Sequence, residues 1–211
     1  MQIRNNFIPL SEVKHCHDGQ TVQGAMDFLE SVGFRCIPVL NQSTGEYLGN
    51  IYLVNIYRYL LKEKGQPGDT IENLMDDREV YIHEEEPFVN AFFNIRQYPY
   101  LPVVTESKKL TGILTHAKVI DVFQHSWGLK QGGYTITAVS TEYKGALKKF
   151  VSVVSQQANI EGLLTLDDEQ RLFRRLIVTL SAKNVDDKKI DLITQKLEKN
   201  GFRVVSSQEI S

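Results

Sequence analysis

The sequence predicts an α+β protein: two copies of a β-α-β-β-α unit, then one β-α-β-β-α-β unit. The first observation behind this is a repeat. Ile37-Pro38-Val39-Leu40, a polar stretch and Leu48-Gly49-Asn50-Ile51 return as Leu101-Pro102-Val103-Val104, a polar stretch and Thr111-Gly112-Ile113-Leu114. The prolines are 64 positions apart and the glycines 63. Each copy is preceded by a helical stretch with an alanine at the matching place, Ala25 and Ala91. A repeat of this length marks supersecondary units that bury apolar faces against each other. The second observation is a change of pattern after the adjacent glycines Gly132 and Gly133, where apolar and polar residues begin to alternate.

The first copy opens with a short strand over 13–16. Asp18-Gly19-Gln20-Thr21 supplies turn and cap chemistry for a helix over 22–32, with Val22, Ala25, Met26 and Leu29 on one stripe. Gly33 ends that helix. Strands follow over 36–40 and 47–53 around a polar turn, then a helix to about 62 with Ile56, Tyr59 and Leu60 inward. Gly65, Pro67 and Gly68 mark a linker over 62–70. The second copy gives a strand over 80–82, an acidic turn at Glu84-Glu85-Glu86-Pro87, a helix over 88–96, strands over 101–104 and 110–115, and a helix over 116–125. Carboxylates suit a helix start, so the acidic run is read as a solvated one. The segment 127–133 is the expected domain boundary. Beyond it come a strand over 134–140, an amphipathic helix over 145–157, a hairpin from 160–166 and 172–180, a helix over 186–200 ended by Gly201, and a strand over 202–205. That order is the ferredoxin-like split βαβ.

The totals exclude several classes. A net charge of −2 over 211 residues leaves no electrostatic footprint for nucleic-acid polymers or membrane surfaces. No apolar run approaches the roughly 18 residues of a membrane span, and the N-terminus lacks a signal peptide's apolar core, so a cytoplasmic protein is expected. Cys16 and Cys36 are the only cysteines and form no CxxC pair, so neither a disulfide framework nor a structural zinc is implied. His15 and His17 would share a strand face, as metal ligands would. The plainer reading, a strand end beside a loop, is preferred because no third ligand stands at suitable spacing. No GxSxG, Walker A or paired-carboxylate constellation supports a reaction centre, so no enzyme and no cofactor are expected. Paired repeats point instead to a ligand cleft between the copies.

The repeated unit resembles the CBS domain, and two in tandem resemble a Bateman module. The marks are the aliphatic-Pro-Val-aliphatic strand, the Gly-x-aliphatic strand after it, and a helix starting soon past that glycine. The tail resembles an ACT-like domain, with Gly145 where that family has a glycine opening its first helix. The combination is similar to cyclic di-AMP-binding CBS proteins of Firmicutes and to acetoin-utilisation accessory proteins. It implies CBS domains over 1–63 and 70–126 and an ACT-like domain over 132–211.

The resemblance further implies adenine-nucleotide binding between the copies. Carried onto this sequence, the contacts fall on His15 and Tyr81 in the first strands. Arg35, Cys36, Ile37, Pro99, Tyr100 and Leu101 stand around the prolines, and Tyr52 and Thr115 three residues past the glycines. Six past them, where the family places a ribose-gripping Asp, stand Asn55 and Lys118. Asn accepts only partially and Lys not at all, so a ribose with two free hydroxyls is disfavoured. Lys118, Arg35 and His116 suit phosphate oxygens instead. Tyr47, Tyr52, Tyr98 and Tyr100 offer faces for adenine, although half-buried packing is the plainer role for any single tyrosine. Backbone groups beside Ile37, Val39, Leu101 and Val103 would read the purine edge. The expectation is a nucleotide sensor, with cyclic di-AMP first, that signals to an effector protein and forms a homodimer through the helices carrying Ile56 and Tyr59 and Val119 and Val122. The alternatives are an AMP-, ATP- or S-adenosylmethionine-binding regulatory subunit of an enzyme, and a dimerising protein whose nucleotide sites have decayed.

Overall fold

The computed structural model describes residues 2–62, 65–141, 144–167 and 173–210. They divide into two compact units, Met1–Ile120 and Asp121–Ser211.

Unit 1 contains two four-stranded sheets. In the first, β2 (Cys16–His17) runs parallel to β3 (Cys36–Leu40), which is antiparallel to β4 (Tyr47–Tyr52). The second repeats this with β6 (Ile82–His83), β7 (Tyr100–Val104) and β8 (Leu110–Thr115). Each sheet gains its fourth strand from the segment that precedes the other copy. β1 (Ile8–Pro9) pairs with β8, and β5 (Met75–Asp76) pairs with β4.

This exchange explains the repeated glycine. A Cβ on Gly49 would lie 2.6 Å from the Asp76 carbonyl oxygen, and one on Gly112 would lie 2.1 Å from that of Ile8. Real Cβ atoms do not approach backbone so closely. The glycine lets the borrowed strand lie against the sheet.

Helix α1 (Val22–Val32) occupies the expected residues: Thr21 Oγ1 accepts from the Gly24 amide at 3.1 Å, and Gly33 ends it at φ 70°. It buries Val22, Ala25 and Leu29. Helix α2 (Leu53–Lys62) follows β4 directly, with Ile56 fully buried. The expected counterpart of α1 in the second copy is broken: a four-residue α3 (Ala91–Asn94) sits between two 3-10 turns, Phe88–Asn90 and Ile95–Gln97. No side chain caps it, and its aromatic and Asn residues are modest helix formers.

Helix α4 (His116–Ser126) crosses the division between the units. Its last turns pack within unit 2, where Phe123 meets Trp127 edge-to-face at 5.4 Å and Asp121 pairs with Lys130. The compact units therefore divide at 120/121, within this helix. On the two helices expected to pair copies of the chain, the inner faces are taken up within the unit. Ile56 is fully buried and Val119 is 5% exposed, so both belong to the unit's own core.

Unit 2 runs β9 (Gly133–Ser140), α5 (Ala146–Ser155), β10 (Ile160–Asp167), β11 (Arg174–Ser181), α6 (Asp187–Lys199) and β12 (Arg203–Ile210). The sheet order β10-β11-β9-β12, antiparallel throughout, is the ferredoxin-like arrangement. Phe150 and Val154 of α5 meet Ile193 and Leu197 of α6 and Ile136, Leu176 and Val178 of the sheet in one core. Leu172, expected to open the hairpin's second strand, lies outside the described residues.

Candidate cleft in unit 1

The first residues of β3 and β7 come together. Cys36 and Tyr100 occupy corresponding places in the repeat, and the Cys36 Sγ lies 3.6 Å from the Tyr100 hydroxyl. Because β2 and β6 are two residues long, they pair with only Val39 and Leu40 of β3 and with Val103 and Val104 of β7. Ile37 and Leu101 lie outside those parallel ladders. Beside this meeting point opens a cleft of about 840 Å³, within the usual size of small-molecule sites. Its wall comes from residues 33–36, from the β4–α2 junction at Tyr52, Leu53, Val54 and Tyr57, and from Pro99 and Tyr100 of the second copy.

A polar chain runs behind this wall. The Tyr100 hydroxyl donates to Asn50 Oδ1 at 2.7 Å, and Asn50 Nδ2 donates to Asp77 Oδ2 at 3.2 Å. The Tyr52 hydroxyl donates to the same carboxylate oxygen, and the Tyr47 hydroxyl to the Asp77 carbonyl at 3.1 Å. Asp77 holds φ 57°, a left-handed backbone that few non-glycine residues adopt. Burial pushes the Cys36 thiol up to about 11, against the smaller opposing effect of its hydrogen bonds to Tyr100 and Tyr52. Tyr52 is raised by burial first and then by its bond to Asp77, and Tyr100 by burial and then by Cys36. All three are neutral near pH 7. A neutral thiol is a poor nucleophile.

Of the residues expected at the site, the structure brings Arg35, Cys36, Tyr52, Pro99 and Tyr100 into the cleft wall. Arg35 is exposed, and its guanidinium has no partner among the described residues. Phe34, Leu53, Val54 and Tyr57 were not foreseen; all flank recognised positions, and Val54 and Tyr57 lie three residues apart on α2.

The structure places the other expected positions outside this cleft. Tyr47 is 1% exposed and packs with Leu40, Val104 and Leu110, so its ring offers no stacking face. Tyr81 stands edge-on to Tyr47 and His83, with the Lys108 ammonium 5.0 Å from its ring centre. His15 Nδ1 donates to its own loop at Val13 O, 3.0 Å away, and its ring meets His17 edge-on. Val39 and Val103 are laddered on both sides, which uses the backbone groups expected to read a purine. Asn55 donates to Asp76 Oδ2 at 2.6 Å and accepts from Arg58 at 3.3 Å. Thr115 caps α4 by accepting from the Lys118 amide at 3.2 Å, and His116 Nδ1 lies 3.2 Å from Pro99 O. Neither Lys118 nor His116, nor Tyr98, is part of the cleft wall. Among the described residues no helix is long and apolar enough to cross a membrane.

Comparison with known proteins agrees with this geometry. The family model of the CBS domain matches residues 71–125. No curated protein matches the chain. Among solved structures, CbpB of Listeria monocytogenes in complex with c-di-AMP is 21% identical, with 61% of this chain and 98% of that one covered at a TM-score of 0.52. A CBS domain pair/ACT domain protein from Thermotoga maritima is 18% identical, covering 58% and 96% at 0.50. CBSX2 in complex with AMP is 19% identical, covering 58% and 95% at 0.50. At these identities the likeness is one of fold. Residues 71–125 thus match a CBS domain, unit 1 carries that strand order twice, and unit 2 has the ferredoxin-like order.

Proposed function

We propose that the chain is a non-enzymatic nucleotide sensor that binds an adenine nucleotide, cyclic di-AMP first, in the cleft of unit 1. The observation that carries this is the 840 Å³ cleft where β3 and β7 begin, walled by neutral tyrosines, with Arg35 as a cation that has no partner among the described residues. Solved relatives of the same fold hold c-di-AMP and AMP. Asn55 adds to the reading. It stands where a ribose-gripping carboxylate would, yet its amide is taken by Asp76 and Arg58. A ligand whose ribose 3′-oxygens are consumed in phosphodiesters loses least by that change. The second reading is AMP, favoured because one cleft of this volume also suits a mononucleotide.

The protein acts in the cytoplasm as a homodimer. Ligand binding there shifts a population that an effector protein reads, which requires different ligand affinity in the two states. The ferredoxin-like unit is the dimerising or output element. Isothermal titration with cyclic di-AMP, AMP, ATP, S-adenosylmethionine and cyclic di-GMP tests the reading. Cyclic di-AMP should bind tightest and cyclic di-GMP hardly at all. Absence of binding by every adenine nucleotide would overturn it.

A further inference from the structure

The polar chain behind the cleft has a direction. A carboxylate only accepts hydrogen bonds, so the Tyr52 hydroxyl and Asn50 Nδ2 both point their protons at Asp77. With its amide nitrogen committed there, Asn50 turns Oδ1 to Tyr100 and takes that hydroxyl's proton. The Tyr100 oxygen is then left to accept from the Cys36 thiol, 3.6 Å away. Every proton in the series is committed to the next member of the chain. Tyr52, Tyr100 and Cys36 all line the cleft, and none of the three has a hydroxyl or thiol proton left to donate to a ligand. The left-handed backbone of Asp77, at φ 57°, is the kind of outlier that accumulates where a side chain must be aimed.

We infer that Asp77 sets the polarity of the cleft floor: the floor accepts and does not donate, so it selects a ligand edge carrying N–H groups and sends phosphate to Arg35. The inference rests on the nucleotide-binding reading and names the edge that the floor reads, the exocyclic amine of an amino-purine. A 6-oxo purine would set its own acceptor against three others, which leaves buried lone pairs unpaired. A phosphate at the floor would meet the same lone pairs.

Two measurements test this. In titrations, AMP should bind about tenfold or more tightly than IMP, and than purine riboside 5′-monophosphate, which lacks the amine. Asp77→Asn should erase most of that difference, because the new amide donates to Tyr52 and lets the chain reverse; Asn also tolerates the left-handed backbone. The second readout needs no ligand. The infrared S–H stretch of Cys36, identified by its loss in Cys36→Ala, should lie at the lowered frequency of a donating thiol. It should rise in Tyr100→Phe and in Asp77→Asn. If no adenine nucleotide binds while the band behaves this way, the floor polarity stands and the nucleotide reading falls. If AMP and IMP bind alike, or the band ignores Asp77→Asn, the inference is overturned.

Discussion

Gly112 shows how one residue fixes a topology. It sits where β1, borrowed from the other copy, crosses β8, and a methyl group there would lie 2.1 Å from Ile8 O and 2.5 Å from the Phe7 ring. Gly112→Ala is expected to cost unit 1 about 1–3 kcal/mol in urea unfolding, as overpacking does. Gly49→Ala should cost more than its space alone suggests, since its φ of 143° adds backbone strain. Cys36 acts through its proton. Its thiol ionises near 9.0 when unfolded and near 11 when folded, so above pH 9 only the unfolded chain gains charge. Stability supplied by the neutral thiol is complete below pH 9 and is lost as pH rises toward 11, by at most about 1.4 kcal/mol for each unit. Cys16, also raised to about 11 by burial, works in the same direction. Urea midpoints should therefore fall between pH 9 and 10 in the wild type and fall less in Cys36→Ala. Equal slopes would remove Cys36 from the account. Arg35 is the residue expected to meet phosphate. Arg35→Ala should weaken cyclic di-AMP by about tenfold or more and flatten the salt dependence of binding, both read by titration at two ionic strengths.

At the scale of elements, the contrast between α1 and α3 is instructive. α1 has a Thr cap, a Gly stop and a clean apolar stripe, and the sequence placed it to the residue. Thr21→Ala should destabilise unit 1 by about 1 kcal/mol, seen as a shifted urea midpoint with unchanged slope. α3 shares the stripe through Phe88, Ala91 and Ile95 but lacks cap chemistry, and only one α-helical turn forms. Strands β3, β4, β7 and β8 and the unit 2 order were legible because each is long enough to show its period. The exchange of β1 and β5 was not legible. Two-residue strands carry no periodicity, and their pairing depends on space above a distant glycine, Gly49 for Asp76 and Gly112 for Ile8. The cleft was half legible for a related reason. Arg35, Cys36, Tyr52 and Tyr100 flank the repeated prolines and glycines, so the repeat located them. Asp77 escaped because it sits in the exchanged segment, and Asn50 because its counterpart in the second copy is the apolar Ile113. Tyr47 was misplaced because an aromatic beside a strand reads alike whether its ring is buried or free.

At the scale of the whole molecule, the open question is what pairs with the outer face of α2. Val54, Tyr57 and Leu61 recur at helical spacing and are 57%, 39% and 83% exposed. Such a stripe is unusual on a monomer's surface helix, and a two-fold pairing of copies would cover it. Val54 and Tyr57 also line the cleft, whereas Leu61 does not. If the stripe joins two copies, dimer contact and ligand act on the same two side chains, and each must alter the other's free energy equally. Light scattering at micromolar concentration should give twice the 24.1 kDa of one chain. Leu61→Glu places a charge at the contact's most exposed position and should return the protein to a monomer. Because Leu61 touches no part of the cleft wall, a rigid, independent site would bind cyclic di-AMP equally in that variant. Coupling predicts instead a change of roughly 5-fold or more in its affinity, together with a wild-type affinity that depends on protein concentration. A wild-type monomer, or a monomeric variant with unaltered affinity, would separate the stripe from the site.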